Sequence, residues 1–152
     1  MLPATTERVA VNTPDCINEK IRRRTDEHIA YYAQASRAAI DARLLELDEE
    51  WDIERTLETN AAAVSLVGLT LGATVSRKWF LFPGVVAAFL MQHAVQGWCP
   101  PVPLFRRLGI RTAAEIAEER YALKALRGDF RQVSQESADG PCALEAIEAV
   151  RM

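Results

Sequence analysis

Residues 60–98 hold no aspartate or glutamate, and their only formal charges are the adjacent Arg77 and Lys78. An uncharged stretch of this kind belongs in a bilayer or in the interior of a protein. The basic pair divides it. The first half, NAAAVSLVGLTLGATVS, gives roughly 25 Å of helix, and borrowing a turn from Leu57 brings it to the ~30 Å of a hydrocarbon core. The second half, WFLFPGVVAAFLMQHAVQGW, has spanning length and a Trp at each end, where aromatic rings prefer the interface. Arg77 and Lys78 leave room only for a tight connection. The expected fold is therefore all-α: a two-helix transmembrane hairpin over 57–98 (spans 57–76 and 79–98), with amphipathic cytoplasmic helices before and after it. A soluble bundle that buries the hairpin is the competing reading, because Asn60, Thr70, Gln92 and His93 make the spans only moderately apolar.

Charge sets the expected side. Arg43, Arg55, Arg106, Arg107 and Arg111 lie within reach of the outer ends, against Arg77 and Lys78 at the tip, so both termini are expected in the cytoplasm of a bacterial inner membrane. The opening MLPATTERVAVNTPDC lacks the basic end and continuous apolar run of a signal peptide. Insertion is then expected to depend on the internal segment. A length of 152 residues suits one domain. Its parts are expected to be a flexible N-terminus (1–12), a cytoplasmic helical region (13–56), the hairpin (57–98), an exit turn with a capped cytoplasmic helix (99–130), and a mobile tail (131–152). The three cysteines, Cys16, Cys99 and Cys142, are odd in number and form no C-x-x-C pair, which excludes a local zinc or dithiol motif and favours a reducing compartment.

Small residues at Ala61, Ser65, Gly68 and Gly72 fall on one helical stripe. In lipid such residues allow close backbone approach, and the stripe suits either the second span or another subunit. Upstream, Thr13 is placed to cap a helix with Pro14 at its first position. Ile40, Leu44, Leu47 and Trp51 then form an amphipathic stripe with strongly acidic surroundings. It calls for a partner helix in this chain, in a second copy or in another protein. Downstream, Thr112 and Glu115 form a capping box and Gly128 a helix stop.

The stretch WDIERTLETNAAAVSLVGLTLG, with its acid-arginine pair Glu54 and Arg55, is followed by the membrane-exit motif Gly97, Trp98, Cys99 and Pro100, and then by LGIRT. Together these resemble the YgaP-like transmembrane domain family of small bacterial inner-membrane proteins over residues 51–112. The resemblance implies a two-helix membrane hairpin with cytoplasmic termini. Pro101, Pro103 and the additional flanking helices depart from the family's commoner pattern. The best-known relative joins this domain to a rhodanese sulfurtransferase domain, for which this chain has neither the α/β pattern nor the room. Sulfur transfer is therefore not implied.

Two side chains could carry chemistry. Cys99 is either a small gap-filling residue in a rigid turn or a thiol activated by Arg106 and Arg107 for sulfur transfer or redox sensing. His93, with Gln92 and Gln96 nearby, is either a neutral residue hydrogen-bonded between helices or part of a polar intramembrane site. No metal or cofactor motif is present, and the acidic balance disfavours nucleic acid. The expected function is a non-enzymatic membrane anchor with no cofactor, with the lipid bilayer as one partner. It would self-associate as a homo-oligomer or dock a membrane or cytoplasmic protein. Thiol chemistry at Cys99 is the alternative.

Overall fold

The structure is a computed structural model and describes residues 3–131. They are all-helical, with no strand among them. The chain divides into two compact units: residues up to Arg23 together with Trp51–Ile116, and Arg24–Glu50 together with the chain from Ala117. The helices are α1 (Arg8–Val11), α2 (Asp15–Tyr32), α3 (Arg37–Glu49), α4 (Ile53–Thr74), α5 (Leu81–Gln96), α6 (Val102–Arg107) and α7 (Ala113–Arg127), with a 3₁₀ turn at Arg77–Phe80.

The first unit is built on an antiparallel α4–α5 hairpin. Asp52 caps α4 by accepting the Arg55 amide at 2.8 Å. The Ile53 amide is satisfied by the Arg111 carbonyl, also at 2.8 Å. The helix stops at Thr74, and the basic pair forms the 3₁₀ turn. The small-residue stripe faces the returning chain. A Cβ on Gly68 would lie 2.9 Å from the Pro83 ring, and one on Gly72 2.7 Å from the Phe80 ring. These glycines therefore serve contacts within the chain, which resolves the choice between the second helix and another subunit. Ser65 and Ala61 continue the stripe half-buried. Pro83 sits in the first turn of α5, where its missing N–H costs nothing.

The outer faces of the hairpin are covered by none of the described residues. Leu66, Val67, Val75, Leu81, Val85, Met91 and Val95 are each at least half exposed, so no soluble bundle among the described residues buries it. Among the described residues one helical segment, Arg77–Gln96, is long and apolar enough to cross a membrane, and only 6% of it is buried. The expected first span, 57–76, falls short of that apolarity. Glu58, Thr59 and Asn60 occupy its first turn, and Thr70 and Thr74 its far end. Both of those threonine hydroxyls donate back into the helix, to Leu66 O at 2.8 Å and Thr70 O at 2.7 Å.

Below the hairpin, Val9, Ile53, Leu57, Cys99 and Val102 form the unit's core, flanked by Phe105 and Ile110. Val9 belongs to α1, so residues 8–11, expected within a flexible N-terminus, are instead packed structure. Thr13 does not cap α2. Its buried hydroxyl donates to Val9 O at 2.8 Å, tying it to the end of α1.

The second unit places Ile40, Leu44 and Leu47 in the protein interior with Leu123. Arginine–carboxylate pairs join α3 to α7: Arg43 to the fully buried Glu119 at 2.9 Å, Arg120 to Asp48 at 2.8 Å and Arg127 to Asp41 at 2.7 Å. Of the alternatives left open for this stripe, cover within the chain is the one the structure has. Trp51 is not part of it. The helix ends at Glu49, and Trp51 lies exposed under the Arg55 guanidinium, 4.4 Å from the ring centre. The expected mobile tail lies outside the described residues apart from Arg131.

Gly72→Leu should force the Phe80 ring aside and destabilise the hairpin by about 1–3 kcal/mol, as overpacking of close contacts does. Gly84→Ala, where the new Cβ meets nothing within 4 Å, should be neutral. Thermal unfolding followed by circular dichroism in a mild detergent separates the two.

Candidate functional site at the foot of the hairpin

Polar groups converge where α1, α4 and α5 meet. Glu54 lies in the first turn of α4 and His93 in the last turn of α5, so the antiparallel pairing brings them together. His93 Nε2 donates to Glu54 Oε2 at 2.8 Å, and Arg8 of α1 donates to Glu54 Oε1 at 2.9 Å. Arg8 also reaches the Ala94 carbonyl at 3.2 Å, and Asn12 the Gln96 carbonyl at 2.8 Å. Two of the last carbonyls of α5, which have no partner inside the helix, are thereby served by Arg8 of α1 and by Asn12 just beyond its end.

Gly97 makes this approach possible. It ends α5 in the left-handed region at φ 77°, a conformation that favours glycine. A Cβ there would stand 2.3 Å from the Arg8 carbonyl. Trp98 follows half-buried, and Pro100 is exposed. The exit motif is a turn that lets α1 lie against the end of α5.

His93 is 3% exposed and its Nδ1 has no partner. With Nε2–H committed to the carboxylate, Nδ1 in the neutral ring is an acceptor. The side chain is a hydrogen-bonded link between two helices. Gln92 takes no part in it, and His28 lies in the second unit against Glu119 at 3.4 Å. Among the described residues no group of three or more His, Cys, Asp or Glu side chains could hold a metal ion.

The hydrogen bond from His93 lowers the Glu54 carboxyl. Burial opposes that shift and Arg8 reinforces it, and the result is a pKa of about 2.

Cys99 is buried beside this cluster, in the core with Val9 and Val102. Burial raises its thiol above the ordinary value, against a smaller opposing effect of the Val102 amide, and the Glu54 carboxylate pushes in the same direction as burial. Arg106, expected to activate it, is committed elsewhere. Its guanidinium is buried and forked onto both oxygens of Glu115 at 2.7 Å, with further bonds to Ile110 O and Asn18 Oδ1. Arg107 is exposed. Glu115 closes the capping box with Thr112. Burial alone would raise its carboxyl, but the Arg106 fork and the Thr112 amide hold it low.

Sequence reasoning identified Glu54 and His93 separately but missed Arg8 and Asn12. A four-residue helix has too few positions to show periodicity, so no local signal marks them. Comparison with protein-family models, with curated proteins and with solved structures finds no match.

Because the folded Glu54 pKa lies below its ordinary value of 4.5, its contribution to stability is fully present above that value and is lost as the pH falls towards 2. The stability of the wild type should fall by about 2 kcal/mol as the pH drops across that interval, a figure already reduced for partial exposure. Glu54→Gln should be less stable at pH 7 and show a flatter acid limb. Denaturant titrations at stepped pH measure both.

Proposed function

We propose that this chain is a non-enzymatic anchor of the bacterial inner membrane. The α4–α5 hairpin lies in the bilayer, both termini are cytoplasmic, and the remaining helices form a docking unit. The observation that carries this reading is the outward display of large apolar side chains on both hairpin helices, with no cover from the described residues. Soluble monomers rarely expose so large a contiguous apolar patch. Satisfied threonine hydroxyls within α4 and Trp79 at the tip support the same reading.

A YgaP-like two-helix domain is the family this arrangement suits, through its exit turn and the Glu54 position. The foot cluster has a structural role in this account: it fixes the register of the hairpin at the cytoplasmic interface and fastens α1 to it. Both apolar stripes suggested for self-association are used within the chain. The reading therefore favours docking of a cytoplasmic protein over a homo-oligomer built on those stripes. Thiol-dependent sulfur transfer or redox chemistry is the poorer reading, because Cys99 is buried, its thiol is held protonated, and Arg106 is bound to Glu115.

The topology is testable with a Lys78→Cys variant in which Cys99 and Cys142 are replaced by serine. The protein should stay in the pellet after carbonate washing. A membrane-impermeant maleimide added to spheroplasts should label position 78 and leave the exposed Cys16 unmodified until the membrane is broken. Release by carbonate, or labelling of Cys16 in sealed spheroplasts, would remove the proposal.

A further inference from the structure

The chain leaves the hairpin through the Gly97 turn and forms α6, a helix with two unlike sides. One side is engaged. Val102 lies in the unit's core with Ile53 and Leu57, and the buried Arg106 one turn on is forked onto Glu115. The other side has no cover among the described residues. Leu104 is 58% exposed and Leu108 69%. Arg107 is exposed, and it makes no ion pair or hydrogen bond among the described residues.

Both ends of α6 are fixed at one level of the hairpin. Its first residue, Val102, packs with Ile53 and Leu57. Beyond its last turn, the Arg111 carbonyl accepts the Ile53 amide at 2.8 Å. The helix therefore lies across the foot of the hairpin and does not run away from it. Ile53 and Leu57 are one turn, about 6 Å, apart, and Leu57 is where the proposed span begins. In the bilayer placement this level is the boundary between headgroups and acyl chains.

The exposed side also has a direction. Pro101, whose backbone is already helical, lines an apolar hollow with Leu57, Ala61 and Val64 of α4. At about 100° per residue, Leu108 falls within about 20° of Pro101 around the helix and Leu104 within about 60°. Arg107 lies about 60° beyond Leu104, and Val102 and Arg106 take the opposite side. The two leucines thus continue the hairpin's apolar surface sideways, and a cation without a partner among the described residues borders them. Three side chains fall far short of the ~800 Å² a side that a stable protein interface buries. A short apolar strip edged by a basic residue, lying flat at the rim of an apolar span, has the chemistry of an interfacial helix.

We infer that α6 is an in-plane membrane helix: Leu104 and Leu108 insert among the upper acyl carbons of the cytoplasmic leaflet, and the Arg107 guanidinium pairs with phospholipid phosphate, favouring anionic lipid. The inference rests on the bilayer reading above and goes beyond it, since that reading needs only the hairpin in lipid. It also withdraws α6 from the surface left for a docking partner.

The test uses the full chain in proteoliposomes of phosphatidylethanolamine and phosphatidylglycerol, carrying one cysteine labelled with nitrobenzoxadiazole. That cysteine is Leu108→Cys, Leu66→Cys or the native, exposed Cys16, with the remaining cysteines replaced by serine. Quenching is read with lipids bearing a nitroxide near the headgroup or deep in the acyl chain, and with iodide on both sides of the membrane. Position 66 should be quenched best by the deep nitroxide and position 108 by the shallow one. Iodide should reach neither as it reaches Cys16. Arg107→Glu, at an exposed site that the fold does not use, should lower shallow quenching at position 108 and leave position 66 unchanged. The loss should be smaller in vesicles of phosphatidylcholine alone. Iodide reaching position 108 as freely as Cys16 would overturn the inference. So would shielding of position 108 from iodide and both nitroxides alike, as a second copy of the chain would give, or an Arg107→Glu variant quenched like its parent. With position 66 still in lipid, these results defeat this inference alone, whereas iodide access at position 66 defeats the membrane reading with it.

Discussion

Two apolar helices whose outer faces are covered by none of the described residues impose a single demand: those faces must be kept from water. Every other feature of the first unit can be derived from that constraint. Association of such helices gains little from hydrophobic burial when the surroundings are themselves apolar, so their pairing must come from close contact and from polar links. Gly68 and Gly72 supply the contact at the tip, where the Pro83 and Phe80 rings occupy the space that side chains would fill. Glu54 and His93 supply the polar link at the foot.

In the proposed bilayer placement the foot is also where the chain changes solvent. A carboxylate, an imidazole and a guanidinium gather within hydrogen-bonding distance there, each relieving the desolvation of the others. The Gly97 turn brings α1 across the end of α5, and the Arg8 and Asn12 side chains occupy carbonyls that would otherwise face the interface unpaired. Cys99 and Val102, just beyond, join the small core beneath. The turn for which the sequence left a gap-filling and a reactive reading is, in three dimensions, a packing device. Its arginine turned out to belong to the neighbouring capping box.

Features with a period or a local code were legible in the sequence. The charge-free window located the paired helices, because hydrocarbon content is read directly from composition, although α4 begins at Ile53, seven residues before the window opens. The G-x-x-x-G stripe indicated a close helix contact, and Thr112 with Glu115 indicated a helix start. Contacts without a period were not legible. Arg8 lies 46 residues from Glu54, and nothing local links the two. Arg106 was read as a cation near a thiol, whereas a nine-residue separation across a turn delivers it to Glu115. The α3 stripe was legible as needing cover, and of the sources left open the cover is within the chain. The stripe's extension to Trp51 failed because the helix ends two residues before it.

The account's central claim, that hydrocarbon surrounds the bare hairpin, is tested most directly by spin labels in proteoliposomes, placed at the exposed Leu66 on α4 and Ala88 on α5, with a third at Glu49 of α3 as reference. Collision with dissolved oxygen should dominate over collision with a water-soluble nickel chelate at both hairpin positions, and the order should reverse at Glu49. Nickel access at Leu66 and Ala88 equal to that at Glu49 would mean that water, or a mobile polar surface, covers these helices, and the account would be contradicted.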